Sequence, residues 1–520
     1  TSWSNENTLN YKKRLGRSHN LDLMAGLSLQ GQKNTYDGVA STQITSEELG
    51  IAGIHTGNYQ KVQSNYYDWR MMSAFLRANY NFRYKYYLTF SFRADGSSKF
   101  PSDNRWGYFP SAGLSWNFNR ENLLKKSEWM SNGKLRLSWG LTGNNRTQTP
   151  YDFYSQITVN PGSGNSLDYV FGGERVPGYY VSNMANERLK WETTEQWNAG
   201  LDLGFFEDRI KVTADWYDKV TRDLLLYALL PASSGFEQGM LNIGKIRNRG
   251  FELSGSWSDT IGDDFRYTVS GNLTTIDNEV LTLGKTYYQG DKSVAVSEPG
   301  KPIGYFYGYE VEGIYQNKAD IASSPENTLA AVAPGDLKFR DVTGDGKITE
   351  ADRTMIGNPT PDFTYGYSVN LQYKNFDLGI DFQGVYGNEL FITSFVSAYA
   401  QYNYHTKRLG RWNGEGTSNW EPILDSSRAT QMMNSSYFIE DGSYLRLKNI
   451  QLGYSFGDRI LKKIRLKALR VFMNIDNLAT WSHNTGYTPE IGGTALAFGI
   501  DTGDTYPMPT TITFGVNVSF

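Results

Sequence analysis

Strict alternation of apolar and polar residues constrains this chain more than any other feature, and it is clearest over residues 510–520. Ile512, Phe514, Val516, Val518 and Phe520 fall on one face, and Thr511, Thr513, Gly515, Asn517 and Ser519 on the other. That is the period of two of a β-strand with one apolar side. A long apolar strand with a bare edge invites aggregation in a water-soluble fold, whereas a barrel removes the edge by closing the sheet on itself.

The same pattern recurs along the chain. Over 363–390, Phe363, Tyr365, Tyr367, Val369, Leu371 and Tyr373 alternate with Thr, Gly, Ser, Asn and Gln. After the short turn Lys374-Asn375, Phe376, Leu378, Ile380 and Phe382 alternate with Asp377, Gly379, Asp381 and Gln383. Related segments lie at 21–29, 69–82 with 87–92, 108–118 with 135–141, 197–205 with 210–216, 251–257 with 265–273, 445–456 and 469–475. The pattern predicts about fifteen strands. A single such segment suits a soluble sandwich, but repetition without the fixed sequence period of a propeller or β-helix points to a barrel.

Composition says which kind of barrel. With 36 Tyr, 27 Phe, 13 Trp and 53 Gly, and a mean hydropathy of -0.52, the chain is aromatic, turn-rich and polar on average. A transmembrane β-barrel has this balance, because its lipid face is apolar, its lumen is polar and aromatic girdles mark both interfaces. No run is long and apolar enough for a spanning helix, which leaves an all-β, transmembrane antiparallel β-barrel. The absence of cysteine excludes disulfides and thiolate metal sites. A net charge of -3, from 51 basic and 54 acidic residues interspersed, gives no footprint for nucleic acid.

Links between the segments alternate in length. Short ones at 206–209, 262–264 and 374–375 separate long ones at roughly 145–188, 279–361, 391–442 and 482–509. Short periplasmic turns and long extracellular loops are the usual asymmetry of outer-membrane barrels, so the final strand is expected to run inward and residue 1 to lie near an outer loop. The start, Thr1-Ser2-Trp3-Ser4-Asn5, has neither the basic nor the apolar segment of a signal peptide. The chain is therefore expected to be the C-terminal portion, or a processed half, of a larger barrel whose first strands it lacks.

Several phrases carry a family resemblance. Phe92-Arg93-Ala94-Asp95-Gly96-Ser97-Ser98-Lys99-Phe100, followed by Arg105-Trp106-Gly107-Tyr108-Phe109-Pro110-Ser111, resembles a signature of the SusC/RagA family of TonB-dependent outer-membrane transporters. So do Leu189-Lys190-Trp191-Glu192-Thr193-Thr194, Asn242-Ile243-Gly244-Lys245-Ile246-Arg247-Asn248-Arg249-Gly250-Phe251-Glu252 and Gly442-Ser443-Tyr444-Leu445-Arg446-Leu447-Lys448-Asn449. The matches spread from about residue 70 to residue 520. The resemblance implies a barrel of about 22 strands, of which about seven would lie upstream, in the outer membrane of Gram-negative Bacteroidetes. It further implies a plug and a TonB-contacting segment outside this chain, and a SusD-like surface lipoprotein partner with which oligosaccharides or peptides are imported. In related proteins the barrel-assembly machinery reads a polar residue, a glycine and two alternate apolar positions at the chain end, which Thr513, Gly515, Val518 and Phe520 supply.

Three constellations bear on chemistry. Residues 341–352 have the spacing of a calcium loop: Asp341 and Asp345 as acidic ligands, Thr343 where Asp or Asn is usual, Gly346 for the turn, the Lys347 carbonyl, and Asp352 at the last position. Bound Ca²⁺ would stiffen an outer loop, and the competing expectation is an Asp/Gly turn held by its own hydrogen bonds. Tyr399, Tyr402, Tyr404, Trp412 and Trp420 in the outer loops are candidates for stacking on substrate or a partner, or for packing within the loops. Asp202, Glu252, Asp377 and Asp381 are expected to face the lumen. The histidines His19, His55, His405 and His483 are scattered, and the Gly-Asp-Gly of residues 344–346 lacks the Lys-Ser/Thr of a phosphate loop. Active import is thus the leading expectation, with a passive porin-like channel second and an outer-membrane enzyme third.

Overall fold

A computed structural model of the chain describes residues 1–520 apart from 123–126, 148, 160–168, 177, 231, 237, 285–286, 290–293, 394–403 and 426. Among the described residues fifteen strands run nine residues or longer, as the alternation predicts. They are β1 (Ser2–Leu15), β2 (His19–Thr42), β3 (Asn58–Phe82), β4 (Tyr86–Ser97), β5 (Trp106–Asn117), β6 (Met130–Asn144), β7 (Glu192–Phe205) and β8 (Ile210–Arg222). The series continues with β9 (Lys245–Ile261), β10 (Phe265–Thr275), β11 (Phe363–Tyr373), β12 (Phe376–Tyr386), β13 (Tyr444–Ser455), β14 (Ala468–Ser482) and β15 (Thr511–Ser519).

The chain divides into two compact units. The first comprises Thr1–Glu121, Leu135–Ala199 and Lys219–Lys245. Within it β1 to β5 form an antiparallel meander in chain order. The second comprises Asn122–Lys134, Gly200–Asp218 and Ile246–Phe520. Here β9 to β15 form a second antiparallel meander in chain order. Turns of two to four residues join β1 to β2, β3 to β4, β7 to β8, β9 to β10 and β11 to β12, whereas longer links join the other neighbours. At the β11–β12 turn Lys374 takes φ 51, the left-handed conformation that matches the twist of a hairpin.

Register keeps each apolar set on one face. Leu21, Leu23, Leu27 and Leu29 of β2 stand opposite Tyr80, Ala78, Ala74 and Met72 of β3, and Leu27 is 52% exposed and Leu76 56%. Large aliphatic side chains exposed along whole strands would be costly in water and are natural in hydrocarbon. Buried apolar side chains collect instead where loops and strand ends meet. In the first unit Phe100, Phe109, Phe153, Leu189, Trp191 and Met240 pack together. In the second, Phe306, Ile314, Leu337, Phe339, Ile348, Phe391, Tyr437 and Phe438 belong to a larger cluster. The long segments between strands are therefore folded bodies with their own cores. Small sheets lie inside one of them, pairing Tyr305–Gly308 with Thr354–Gly357 and Val311–Ile314 with Leu337–Phe339.

Candidate functional site

Alternation sends polar side chains of β12, β13 and β14 to the face opposite the apolar one. Asp377 receives the Arg470 guanidinium, Nε to Oδ1 at 3.1 Å, and Arg470 also donates to Gln451 Oε1 at 3.1 Å. Asn449 Nδ2 donates to Asn474 Oδ1 at 2.7 Å and to Asp476 Oδ1 at 2.8 Å. Asp202 accepts from the Thr213 hydroxyl at 3.2 Å. Of the four acidic residues expected on this face, Asp377 is therefore neutralised by a cation and Asp202 is hydrogen-bonded. Asp381 is half-buried and Glu252 exposed. The result is a wall of fixed donors and acceptors suited to polar solutes.

The signature phrases of the first unit acquire a physical role here. Arg93 and Asp95 lie two residues apart on β4, where the Arg93 Nε–H is shared between Asp95 Oδ1 at 2.7 Å and Oδ2 at 2.8 Å, and Arg93 Nη2 donates to Ser73 Oγ at 2.9 Å. They line a cavity of about 440 Å³ together with Ser91, Ser111, Asn145 and Trp191. Phe100 is fully buried, with its ring centre 5.2 Å from that of Trp191. Trp191 Nε1 donates to the Arg105 carbonyl at 3.0 Å. Asn242 clasps the Lys190 backbone, accepting from its amide at 2.9 Å and donating to its carbonyl at 2.8 Å. Phrases from four separate stretches of chain thus belong to one packing unit.

Two contacts tie down the outer loops of the second unit. Arg408 Nη1 and the Tyr437 hydroxyl both donate to Glu421 Oε1 at 2.8 Å, inside the apolar cluster. Arg408 and Glu421 side chains are 8% and 7% exposed. Burial pushes the Tyr437 hydroxyl pKa up. In the second contact, Glu490 of the 483–509 loop reaches the inward face of β13, where the Tyr444 hydroxyl donates to Oε1 at 2.7 Å and Arg446 Nη1 to Oε2 at 2.5 Å. Thr480 Oγ1 takes Arg446 Nε at 2.9 Å. Burial opposes the Glu490 charge, but the bonds from Tyr444 and Arg446 outweigh it and hold the carboxyl below its usual pKa. The same loop is fastened by Thr485, whose amide donates to Glu440 Oε2 at 2.7 Å, and by parallel pairing of Phe391 with Ile500. Neither Glu490 nor the Arg408–Glu421 pair emerged from the sequence. The available signal was Arg446, a charged residue at an inward strand position that needed an acidic partner.

The donors of the 341–352 loop do not fit a calcium cage. Asp352, which is fully buried, accepts from the amides of Val342, Thr343 and Thr349 at 3.0, 3.0 and 2.7 Å. The Thr343 and Thr349 hydroxyls add contacts at 2.9 and 3.1 Å. A carboxylate offers about four lone-pair directions, so Asp352 is saturated by its own loop. Burial raises its pKa, but the bonds from Thr343 and Thr349 prevail and hold it at about 2. Asp341 accepts from Gly344 and Gly346 amides at 2.7 and 2.8 Å, and Asp345 from Lys347 at 2.9 Å. Both glycines have positive φ, 72° and 82°, which explains their spacing. Lys347–Ile348 pairs with Glu326–Asn327. Among the described residues no group of three or more His, Cys, Asp or Glu converges as a metal site.

Tyr399 and Tyr402 lie outside the described residues. Tyr404 is exposed. Trp412 is half-buried against the loop cluster, and its Nε1 donates to Gln316 Oε1 at 3.2 Å. Trp420, 43% exposed, has its ring 6.2 Å from that of Tyr437. At the chain end, Thr513 pairs with Asn474, Gly515 with Phe472 and Val518 with Leu469, while Phe520 is exposed. Gly515 has a steric reason: an added Cβ would meet the Phe472 ring at 2.1 Å. His19 sits 2.7 Å from the Tyr80 hydroxyl and His483 3.5 Å from Asp441.

Long antiparallel strands, apolar on one face and hydrogen-bonding on the other, joined by short turns at one end and folded loops at the other, define a β-barrel protein of the Gram-negative outer membrane. Comparison with known proteins is more specific. Residues 1–478 match the family described as TonB dependent receptor-like, beta-barrel. TonB-dependent receptor P3 of Formosa agariphila is 32% identical over 553 residues, covering 100% of this chain and 52% of that protein. TonB-dependent receptor SusC of Bacteroides thetaiotaomicron is 33% identical over 464 residues, covering 86% of this chain and 44% of that protein. The solved RagAB peptide transporter superposes with a TM-score of 0.84 at 24% identity, covering 100% of this chain and 55% of that one. The chain belongs to the TonB-dependent receptor family, in the SusC/RagA group that its motifs resemble. It spans about half the length of the curated relatives it matches, and the family consists of transporters rather than enzymes.

Proposed function

We propose that this chain is the barrel wall and outer-loop portion of an energy-coupled nutrient importer, which takes up oligosaccharides or peptides together with a SusD-like lipoprotein and draws on TonB. The observation that carries the proposal is the match of the chain along its length to TonB-dependent receptors. The hydrogen-bonding inward wall and the tied-down outer loops support it, since a polar solute needs donors along its path and a gated importer needs ordered loops at its mouth. On this reading the polypeptide outside this chain supplies the remaining strands, of about 22 in all, the plug and the TonB-contacting segment. Thr513, Gly515, Val518 and Phe520 act as the assembly signal, so deleting Phe520 lowers the folded, outer-membrane-inserted fraction of the full-length protein.

Uptake by cells carrying the full-length protein, compared with and without functional TonB, tests the import reading. Loss of uptake without TonB supports it. Unchanged uptake means a passive porin-like channel. Affinity purification of the full-length protein is expected to bring down the surface lipoprotein, and its absence removes that partner from the proposal.

A further inference from the structure

Outward residues of β9 and β10 form an apolar row interrupted at one level. Gly255, in series with Phe251, Leu253 and Trp257, stands directly opposite Gly271, in series with Val269 and Leu273. On the next strand, β11, Tyr365 and Tyr367 both tilt toward β12, Tyr365 forming one side of the gap. The Tyr367 ring stacks on Phe382 of β12, with centres 4.3 Å apart and planes at 16°. Tyr365 lies over Gly384, where an added Cβ would meet its ring at 2.2 Å. Two missing side chains and two tilted rings leave a cleft of about 540 Å³ whose apolar walls are Val212, Leu253, Leu273, Phe363, Tyr365 and Tyr386.

Phe363 opens β11 and Tyr386 ends β12, and both ends lead into long outer loops, so the cleft lies in the outer-leaflet half of the membrane. Behind it, on the inward face, Ser254, Ser256, Ser270, Gly366 and Ser368 line a second cavity of about 350 Å³. Around Gly255 and Gly271 the outward face lacks side chains, and the inward face carries mostly Ser, Thr and Asn, with Lys211 beside them. A void against such a wall would forfeit the dispersion contacts that side chains supply elsewhere.

We propose that this cleft holds one acyl chain of an outer-leaflet lipid, which completes the wall where the glycines leave it thin. The cleft is continuous with the lipid-facing band, so hydrocarbon is the medium that meets it. Its lining matches that chemistry, and the Tyr386 ring, 52% exposed at the outer end, suits the boundary between chain and headgroup.

The test uses the full-length protein reconstituted with phosphatidylethanolamine carrying a diazirine on its acyl chain, illuminated and mapped by mass spectrometry. Cross-links are expected on peptides containing Leu253, Leu273 and Tyr365 at several-fold the yield on other outward residues such as Ile380 and Val471. Gly255→Leu with Gly271→Leu should bring the yield down to that of the rest of the band. An added Cβ meets Lys211 O at 3.7 Å in the first case, and Gly366 O at 3.5 Å and Tyr367 Cβ at 3.9 Å in the second, so both substitutions fit the backbone. Heat-modifiable gel migration reports whether the double variant has folded; should it not, Gly255→Leu alone is the filling variant. Equal labelling across the outward band of the folded wild-type protein would overturn the proposal, as would unchanged labelling in a folded, filled variant.

Discussion

Removing Glu490 should release the 483–509 loop from the inward wall. Glu490 ends two hydrogen bonds, from Tyr444 at 2.7 Å and Arg446 at 2.5 Å, and the Arg446 side chain is only 4% exposed. Breaking a fully buried ion pair by deleting one partner costs about 3–5 kcal/mol, because the other charge stays behind. Glu490 is 30% exposed and Arg446 keeps its bond to Thr480, so Glu490→Ala belongs at or below the lower end, at about 2–3 kcal/mol. That corresponds to a loop-opening equilibrium shifted by roughly 30- to 150-fold. The assay is amide hydrogen exchange on the full-length protein. Amides of Thr485, Glu490 and Gly499, bonded to Glu440, Thr488 and Gly492, should lose protection by that order, and the β13–β14 ladder should keep its own. Glu490→Gln keeps neutral hydrogen bonds and should fall between. Acid should act in the same direction: the folded carboxyl lies below its usual pKa, so its contribution is present above the ordinary carboxylate range and is lost as pH falls through the lower folded value. Unchanged protection in Glu490→Ala would refute the argument, and loss spreading through the strands would show that Glu490 braces the wall and not the loop.

Three further outcomes are expected. Glu421→Ala, which takes the carboxylate away from the buried Arg408 guanidinium, should destabilise the outer-loop cluster by about 3–5 kcal/mol, and a double Arg408→Met, Glu421→Leu variant should recover most of the loss; limited proteolysis of the loops measures both. Gly515→Val drives a side chain into the Phe472 ring and should lower the folded fraction on a heat-modifiability gel through overpacking worth about 1–3 kcal/mol, with Phe472→Ala in the same chain restoring it. Residues 341–352 should open as pH falls from about 4 to about 2, because the Asp352 carboxyl is held near 2 and supports the loop only while ionised. Millimolar calcium should leave exchange in that loop unchanged, and a stoichiometric calcium ion bound there would overturn the saturated-carboxylate reading.

Most of the long strands, and the side their residues take, were legible in the sequence, because the two-residue period of a strand is a local property that needs no partner; β1 (Ser2–Leu15) and the short strands inside the long links were not read from it. Phe363 to Phe382 is the clearest case: the alternation there names the lipid face and the hydrogen-bonding face before any coordinates. The family phrases were legible too, although not what they do. Only the tertiary structure shows that Phe100, Trp191 and Asn242 belong to one packing unit, or that the long links are folded around Phe306, Phe339 and Phe391. Tertiary packing also decided the site chemistry. Asp377 reads as a free lumen carboxylate until Arg470, 93 positions away, is placed beside it. Asp352 reads as a cation ligand until its own loop turns five donors onto it. Glu490 gives no sign at all until the 483–509 loop carries it to Tyr444 and Arg446. Pattern along a strand is fixed by covalent geometry, whereas the partner of a buried charge depends on which distant segment folds back to meet it, and that is a property of the folded structure alone.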